Sequence, residues 1–287
     1  MLPGMAGKPT IAIVGPGRLG TALGLSLAQA GYPVVEVVSR NRPASVRRAR
    51  ALAGKVGTRA SVAPLVLKAH LLWLCVPDSE ISAVARDFAA RRVWRGKIAL
   101  HSSGALSSDE LSALRKRGAA VASAHPMMTF VRGAAPSLEG VPWVLEGDAA
   151  AVRVARKIAR DLGGESFLLG KPAKPAYHAW GAFLSPLMVA ALVTSEQVAR
   201  AAGLSAREAR KKMMPIVRQT IANYAKLGPG GAFSGPLVRG DAQVVSKHLS
   251  ALKTMPQARA VYLALARAAL RYLPVQQGKR LRKILAE

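Results

Sequence analysis

A chain of 287 residues, 51% of them hydrophobic, can bury the cores of two modest domains and is too apolar for a disordered polymer. Its formal net charge of +27 raises nucleic acid or an anionic surface as partners. A single cysteine, Cys75, excludes a disulfide scaffold or a cysteine-rich zinc site and fits a reducing, cytoplasmic setting with no metal.

The amino terminus, MLPGMAGKPT, lacks the charged-then-apolar pattern of a secretion signal. TIAIVG (10–15) reads as a buried strand, and GRLGTALGLSLAQAG reads as a helix that stops at Gly31. PVVEVVSR, HLLWLCVP, KIALHSS, AVASAH and VPWVLEG continue the strands, with EISAVARDFAA and DELSALRKRG as helices between them. Ser107 followed by Glu110 has capping-box spacing. This alternation predicts an α/β fold over 1–170, a doubly wound and mostly parallel Rossmann sheet.

Beyond residue 170 the pattern changes to an all-helical C-terminal domain, 171–287, entered through a proline-punctuated linker, GKPAKPA. The longest apolar run, AWGAFLSPLMVAALV (179–193), is interrupted by Ser185 and Pro186. It falls short of the about 20 residues of a membrane span and is read as a buried helix, with no membrane partner. Ser205 with Glu208 predicts a capping box for the next helix, running towards Leu227 with a kink at Pro215. Asp241 is placed to cap a third helix, and a fourth starts near Pro256.

The basic residues fall in small scattered groups, among them Arg91, Arg92 and Arg95, and Arg210, Lys211 and Lys212. Residues 171–287 carry 19 Lys and Arg against 4 Asp and Glu. No interleaved aromatics, zinc pattern or helix-turn-helix signature accompanies them, so the charge describes a surface and nucleic acid is an unlikely principal partner.

Gly15-Pro16-Gly17-Arg18-Leu19-Gly20 matches GxGxxG between a strand and a helix, the context that makes this motif specific for a dinucleotide. At the end of the second strand stands Ser39-Arg40-Asn41-Arg42, where an NAD-binding chain places an acid, and Glu36 lies too early to serve. Hydroxyl, amide and guanidinium groups suit a 2′-phosphate, which points to NADP(H). The alternative is that Arg40 and Arg42 are two more surface arginines. Later strands end in Val76-Pro77-Asp78, His101-Ser102-Ser103-Gly104 and His125-Pro126-Met127. Val76, Pro77 and His101 are candidates for the nicotinamide end of the cofactor, with Ser102 and Ser103 orienting a carbonyl. Asp78 reads equally as a helix cap, and His125 as a residue fixing a turn.

Taken together, GPGRLG, SRN, LCVPDSEI, HSSGAL, AHPMMTF, YHAW and SGPLVRGD resemble one family across nearly the whole chain. These are Rossmann-like oxidoreductases whose C-terminal half is a domain of unknown function. They are related to pyrroline-5-carboxylate reductase and ketopantoate reductase in the wider 6-phosphogluconate dehydrogenase-like group. The HPM segment alone is similar to prephenate dehydrogenases. The resemblance implies a nicotinamide cofactor on residues 15–20, a substrate cleft between the two domains and a homodimer formed through the helical domain. It further implies a proton donor on the first long helix, where this chain offers Lys174, Tyr177, His178 and Ser185. Relatives often carry Asn after that serine, whereas Pro186 stands here.

FSGPLVRGDAQ (233–243) then reads as a turn that aims Ser234 and Arg239 at a substrate carboxylate, with Ser185 as a further contact. Alternatively, Arg239 and Asp241 pair with each other. The expectation is an NADP(H)-dependent oxidoreductase acting on C=O or C=N of a small anionic substrate, 2-dehydropantoate first. His178 is the first choice of proton donor and Lys174 the second. A non-catalytic NADP(H) sensor or regulatory protein, a prephenate dehydrogenase-like protein and a nucleic-acid-associated protein are the alternatives.

Overall fold

A computed structural model describes residues 7–62, 69–91, 93–133 and 135–286. Arg92 and the first six residues, used above, lie outside them. The chain divides into two compact units, Met1–Ala182 and Phe183–Glu287.

In the first unit the apolar runs pair edge to edge. Its strands are β1 (Ile11–Val14), β2 (Val34–Ser39), β3 (Arg59–Val62), β4 (Leu71–Leu74), β5 (Ile98–His101), β6 (Ala120–Pro126), β7 (Pro142–Gly147) and β8 (Glu165–Leu168). They form one sheet in the order β3-β2-β1-β4-β5-β6-β7-β8. Every neighbouring pair is parallel except β6 with β7. The crossovers are helices α1 (Arg18–Gln29), α2 (Pro43–Lys55), α3 (Ile81–Ala90), α4 (Ser112–Lys116) and α5 (Ala149–Asp161).

Successive side chains of a strand point to opposite faces. Ile11 and Ile13 therefore join one core with Leu23, Leu27 and Trp143, while Ala12 and Val14 join another with Ile81, Phe88 and Trp94. Burial on both faces is why these strands read as continuous apolar runs rather than alternating ones. This is the doubly wound sheet expected. Glu36 is 1% exposed in β2 and has the exposed Arg59 guanidinium of β3 at 3.4 Å, while both its carboxylate oxygens are buried without a hydrogen-bond partner. Gly31 follows the end of α1 at φ 72°, where glycine pays no steric penalty.

Two local expectations change. GKPAKPA is no free linker. Its second half opens α6 (Lys174–Leu184), because proline in a first turn gives up an N–H that has no intrahelical partner anyway. Ser107 caps a short turn through the N–H of Asp109, while Glu110 takes the Ser82 hydroxyl instead of closing a capping box.

The C-terminal unit holds α7 (Pro186–Ala201), α8 (Ala206–Ala232), α9 (Ala242–Ala251), α10 (Pro256–Tyr272) and α11 (Gly278–Ala286). Its core gathers Val245, Leu249, Leu263, Ala266, Leu281 and Leu285. The capping box of Ser205 and Glu208 forms as the spacing predicts. Arg210 clamps Glu196 with two bonds of 2.8 and 2.9 Å, tying α8 to α7. The interruption in α8 falls at Gly228 (φ 70°), with Pro215 carried inside the helix.

The apolar run 179–193 is not buried. It breaks at Ser185 into α6 and α7, and it leaves Phe183 69%, Leu187 49% and Val189 56% exposed. On α8, Ile216 and Tyr224 are exposed as well. Lys171–Ala201 is long and apolar enough, by length and composition, to cross a membrane.

The SGPLVRG turn is clamped by the segment between α10 and α11. Gln276 donates its N–H to the Val238 carbonyl at 2.9 Å, and a Cβ on Gly240 (φ 70°) would collide with the Gln276 carbonyl oxygen. Gly240→Ala meets both left-handed backbone strain and a clash. It should lower stability by about 2–3 kcal/mol, read as a lower urea midpoint; an unchanged midpoint would refute the clamp.

Candidate functional site

The turn after β1 gives each glycine of the motif a separate task. Gly15 stands at φ 93°, and a Cβ there would lie 2.6 Å from the Cys75 carbonyl oxygen. A Cβ on Gly20 would collide with the Gly15 carbonyl, so only glycine lets α1 pack onto β1. Gly17 differs, because nothing lies within 4 Å of its Cβ position. It is the N-cap of α1, where the first helical N–H groups, those of Arg18, Leu19 and Gly20, have no intrahelical acceptor. Open space in front of free N–H groups at the positive end of a helix dipole suits a pyrophosphate.

Two cavities leave this turn. The larger, of about 450 Å³, runs from Gly15 and Gly17 past Val76 and Pro77 to Ser39, Arg40, Asn41, Ser45 and Arg48. The Ser39 hydroxyl is buried there without a hydrogen-bond partner. Arg40 is held by Glu80 at 2.7 Å. Arg42 is not in the wall; it is the N-cap residue of α2, from which Ser45 and Arg48 reach the cavity. Those two were not anticipated. The signal was present: Pro43 fixes a helix start, and residues three apart share a helix face. The smaller cavity, of about 330 Å³, is walled by Gly17, Arg18, Leu19, Val76, Pro77, Asp78, Ser102, Ser103 and Phe130. Gly17, Val76 and Pro77 line both cavities, so the two lie side by side at the carboxyl ends of β1, β2, β4 and β5.

Several strand-end residues prove structural. His101 is fully buried and lines neither cavity. Its Nδ1 accepts the Ser103 N–H at 3.1 Å and its Nε2 faces the Ser107 carbonyl at 3.0 Å, a pattern that assigns the neutral Nε2–H tautomer. Burial pushes its pKa down to about 4. The Ser103 hydroxyl donates to Asp78 at 2.8 Å and accepts the N–H groups of Ala105 and Leu106, so it is saturated and cannot orient a substrate. Asp78 thereby fixes this turn, beyond starting the short turn ahead of α3. Ser102 differs: its oxygen accepts the Trp73 indole N–H at 2.8 Å, which leaves its own proton uncommitted, and the residue lines the smaller cavity.

Beside this turn α6 brings up its polar face. Lys174 is fully buried, its ammonium 2.9 Å from the Ser123 hydroxyl and 3.4 Å from the Ser103 carbonyl. Burial lowers its pKa, opposed by the charges of Glu146 and Asp78. It lines neither cavity, and its bonds place it to position the turn. The Tyr177 hydroxyl meets His125 Nδ1 at 2.7 Å. Burial pushes Tyr177 up to about 12. Burial first, then the charges of Lys174, His178 and His101, push His125 down to about 4. His178 is exposed beside them, and a Cβ on Gly104 would come within 2.9 Å of its ring and 3.0 Å of His125. His178, Tyr177 and His125 thus gather over the Ser102–Gly104 turn, and His125 does more than fix a turn.

In the C-terminal unit, Ser185 is the N-cap residue of α7 and Ser234 sits in the turn after α8. Arg239 pairs with Asp241 at 3.4 Å, the alternative weighed from the sequence. Asp241 is the N-cap residue of α9 but makes no side-chain cap bond. Among the described residues no cluster of His, Cys, Asp or Glu is arranged to hold a metal ion.

Residues 6–126 match the Rossmann-like domain family, and residues 141–269 match the domain of unknown function DUF2520. The chain joins a Rossmann-like domain to a DUF2520 domain. Among solved structures, a protein from Thermotoga maritima is 25% identical with a TM-score of 0.70, over 96% of this chain and 98% of that one. A protein from Bacteroides fragilis, provisionally named an NADP oxidoreductase, is 22% identical with a TM-score of 0.74, over 91% and 97%. A reductive aminase from Aspergillus terreus in complex with NADPH and ethyl-5-oxohexanoate is 20% identical with a TM-score of 0.63, over 96% and 99%. The chain therefore shares the fold of these proteins along almost its whole length. No curated protein matches its sequence significantly.

The two depressed histidines of this Rossmann-like domain set a pH response. In the unfolded chain a histidine takes its proton near pH 6.5, in the folded chain only near 4, so the unfolded state binds more protons between those values. Stability is complete above about pH 6.5 and is lost as pH falls towards 4, by about 1–2 kcal/mol per ring at pH 5. Urea midpoints at pH 7.5 and pH 5 measure it, and equal midpoints would contradict the burial of both rings.

Proposed function

We propose that the chain is an NADP(H)-dependent oxidoreductase that reduces C=O or C=N in a small, carboxylate-bearing substrate. The observation that carries this reading is the pair of adjoining cavities that runs from Arg48, past Gly17, to Ser102, with the His178–Tyr177–His125 group over the same turn. The reductive aminase bound to NADPH, with the same fold, supports C=N as well as C=O.

The N–H groups at the start of α1 hold the pyrophosphate, and Ser39, Asn41, Ser45 and Arg48 face the ribose 2′-phosphate. Held there, the nicotinamide would supply a hydride to an electrophilic carbon. Ser102 donates its free proton to hold the carbonyl or amide beside that carbon. His178 gives the proton that the substrate's oxygen or nitrogen requires, with Tyr177 next to it as a neutral donor at pH 7. Lys174 and Ser123 keep the Ser103 carbonyl, and with it this turn, in place.

Two of the proposed partners concern the surface and the compartment. The exposed apolar faces of α7 and α8 fit a second copy of the chain, giving a homodimer. One cysteine in 287 residues suits the cytoplasm.

NADPH oxidation with 2-dehydropantoate, other 2-oxo acids, pyrroline-5-carboxylate and cyclic imines, followed by absorbance, tests the reaction class. Turnover with at least one of them is expected, and none across the panel with NADPH bound would count against it. On an accepted substrate, His178→Ala should cut kcat by about 10²–10⁴-fold while leaving NADPH affinity nearly intact; equal turnover removes His178 from the chemistry. Sedimentation equilibrium should find a dimer that Val189→Lys converts to a monomer, whereas a wild-type monomer contradicts the shared face.

A further inference from the structure

Glu80 closes the short 3-10 turn Asp78–Glu80, with its N–H bonded to the Pro77 carbonyl at 2.8 Å. Its carboxylate lines the larger cavity opposite the end of β2 and holds Arg40 at 2.7 Å. An acid therefore does stand at the ribose end of the larger cavity, brought there from β4 rather than from β2, where sequence habit looks for it. Around it are two kinds of group. Ser39 has a buried hydroxyl without a partner, and Arg48 reaches in from α2, bonded only weakly at 3.3 Å to Ser45. These suit a phosphate, while the carboxylate suits a hydroxyl donor.

We propose that Glu80 is the residue that sets the balance between a 2′-phosphate and a 2′-hydroxyl in this cavity, so that the chain binds NADH as well as NADPH. The proposal rests on the cofactor assignment made under the proposed function. With a 2′-hydroxyl, the Arg40–Glu80 pair stays closed and the carboxylate accepts the hydroxyl proton. With a 2′-phosphate, Arg40 leaves Glu80 for the stronger anion, and the abandoned carboxylate then faces like charge. Arg40 and Glu80 are 46% and 38% exposed, so solvent screens the pair and the discrimination is modest, of the order of tenfold. Among the described residues Arg48 bonds to Ser45 and to no carboxylate, so it favours the phosphate without this penalty.

Direct binding titrations of the full chain with NADPH and NADH, read by nicotinamide fluorescence, test this without any substrate. Glu80→Gln should tighten NADPH and weaken NADH, raising the ratio of the NADH to the NADPH dissociation constant about tenfold. Arg48→Ala should lower that ratio about tenfold, chiefly by weakening NADPH. Adenosine 2′,5′-bisphosphate against AMP should repeat both shifts, which locates them at the 2′ position. If Arg48→Ala moves the ratio and Glu80→Gln does not, the cofactor assignment stands and the role of Glu80 falls. If wild-type protein binds neither nucleotide, the assignment itself falls and the proposal with it.

Discussion

Everything at the carboxyl edge of this sheet depends on how closely α1 approaches β1 and the end of β4. A single methyl group on Gly15 would press on the Cys75 carbonyl, and one on Gly20 would collide with the Gly15 carbonyl. Interiors packed to crystal density do not absorb such an insertion, so the approach is available to glycine alone. It has a geometric consequence. The start of α1 points past β1 and β4 into the gap where the chain's two crossover directions diverge, the place where an open α/β sheet leaves a crevice. Gly17, alone of the three, faces that crevice with space in front of it.

One layer further along the sheet, the ends of β5 and β6 are held by polar groups rather than by packing. The buried His101, Ser103, Ser123 and Lys174, with the exposed Asp78, satisfy one another around the Ser102–Gly104 turn. Most of their hydrogen-bonding capacity is used internally. That is the physical reason for dividing the polar strand ends into two classes. Groups with every lone pair and proton committed hold the turn, and groups with one left over, such as Ser102 and the exposed His178, face outward. A polar network of this kind resists displacement, because breaking one bond leaves a buried partner unsatisfied.

Legibility in the sequence followed periodicity and local chemistry. The central strands were plain because burial on both faces makes them unbroken apolar runs. The edge strands β3 (RASV) and β8 (ESFL) were not, being half-exposed and mixed in character. The GxGxxG motif was legible because its context is local. Its partners across the cavity were less so: Ser45 and Arg48 follow from a helix start, but Glu80 arrives from another strand through tertiary pairing that no local pattern announces. The same limit explains Ser103 and Lys174. Their residue types suited catalysis, and only coordinates reveal that the hydroxyl is saturated and the amine sealed. The apolar stretch 179–193 misled for the opposite reason, since hydropathy marks a surface that is to be covered without saying what covers it.

The claim on which the rest stands is that the space before Gly17 receives the phosphates of NADP(H). A fluorescence titration with NADPH, comparing wild-type protein with Gly17→Asp, tests it most directly. Aspartate fits the open Cβ position and the extended backbone there, and it is a favoured N-cap, so the variant should fold with at least wild-type stability. Its carboxylate would occupy the anion site. Saturable binding by wild-type protein that is lost in the variant is the predicted result; equal binding by both would contradict it.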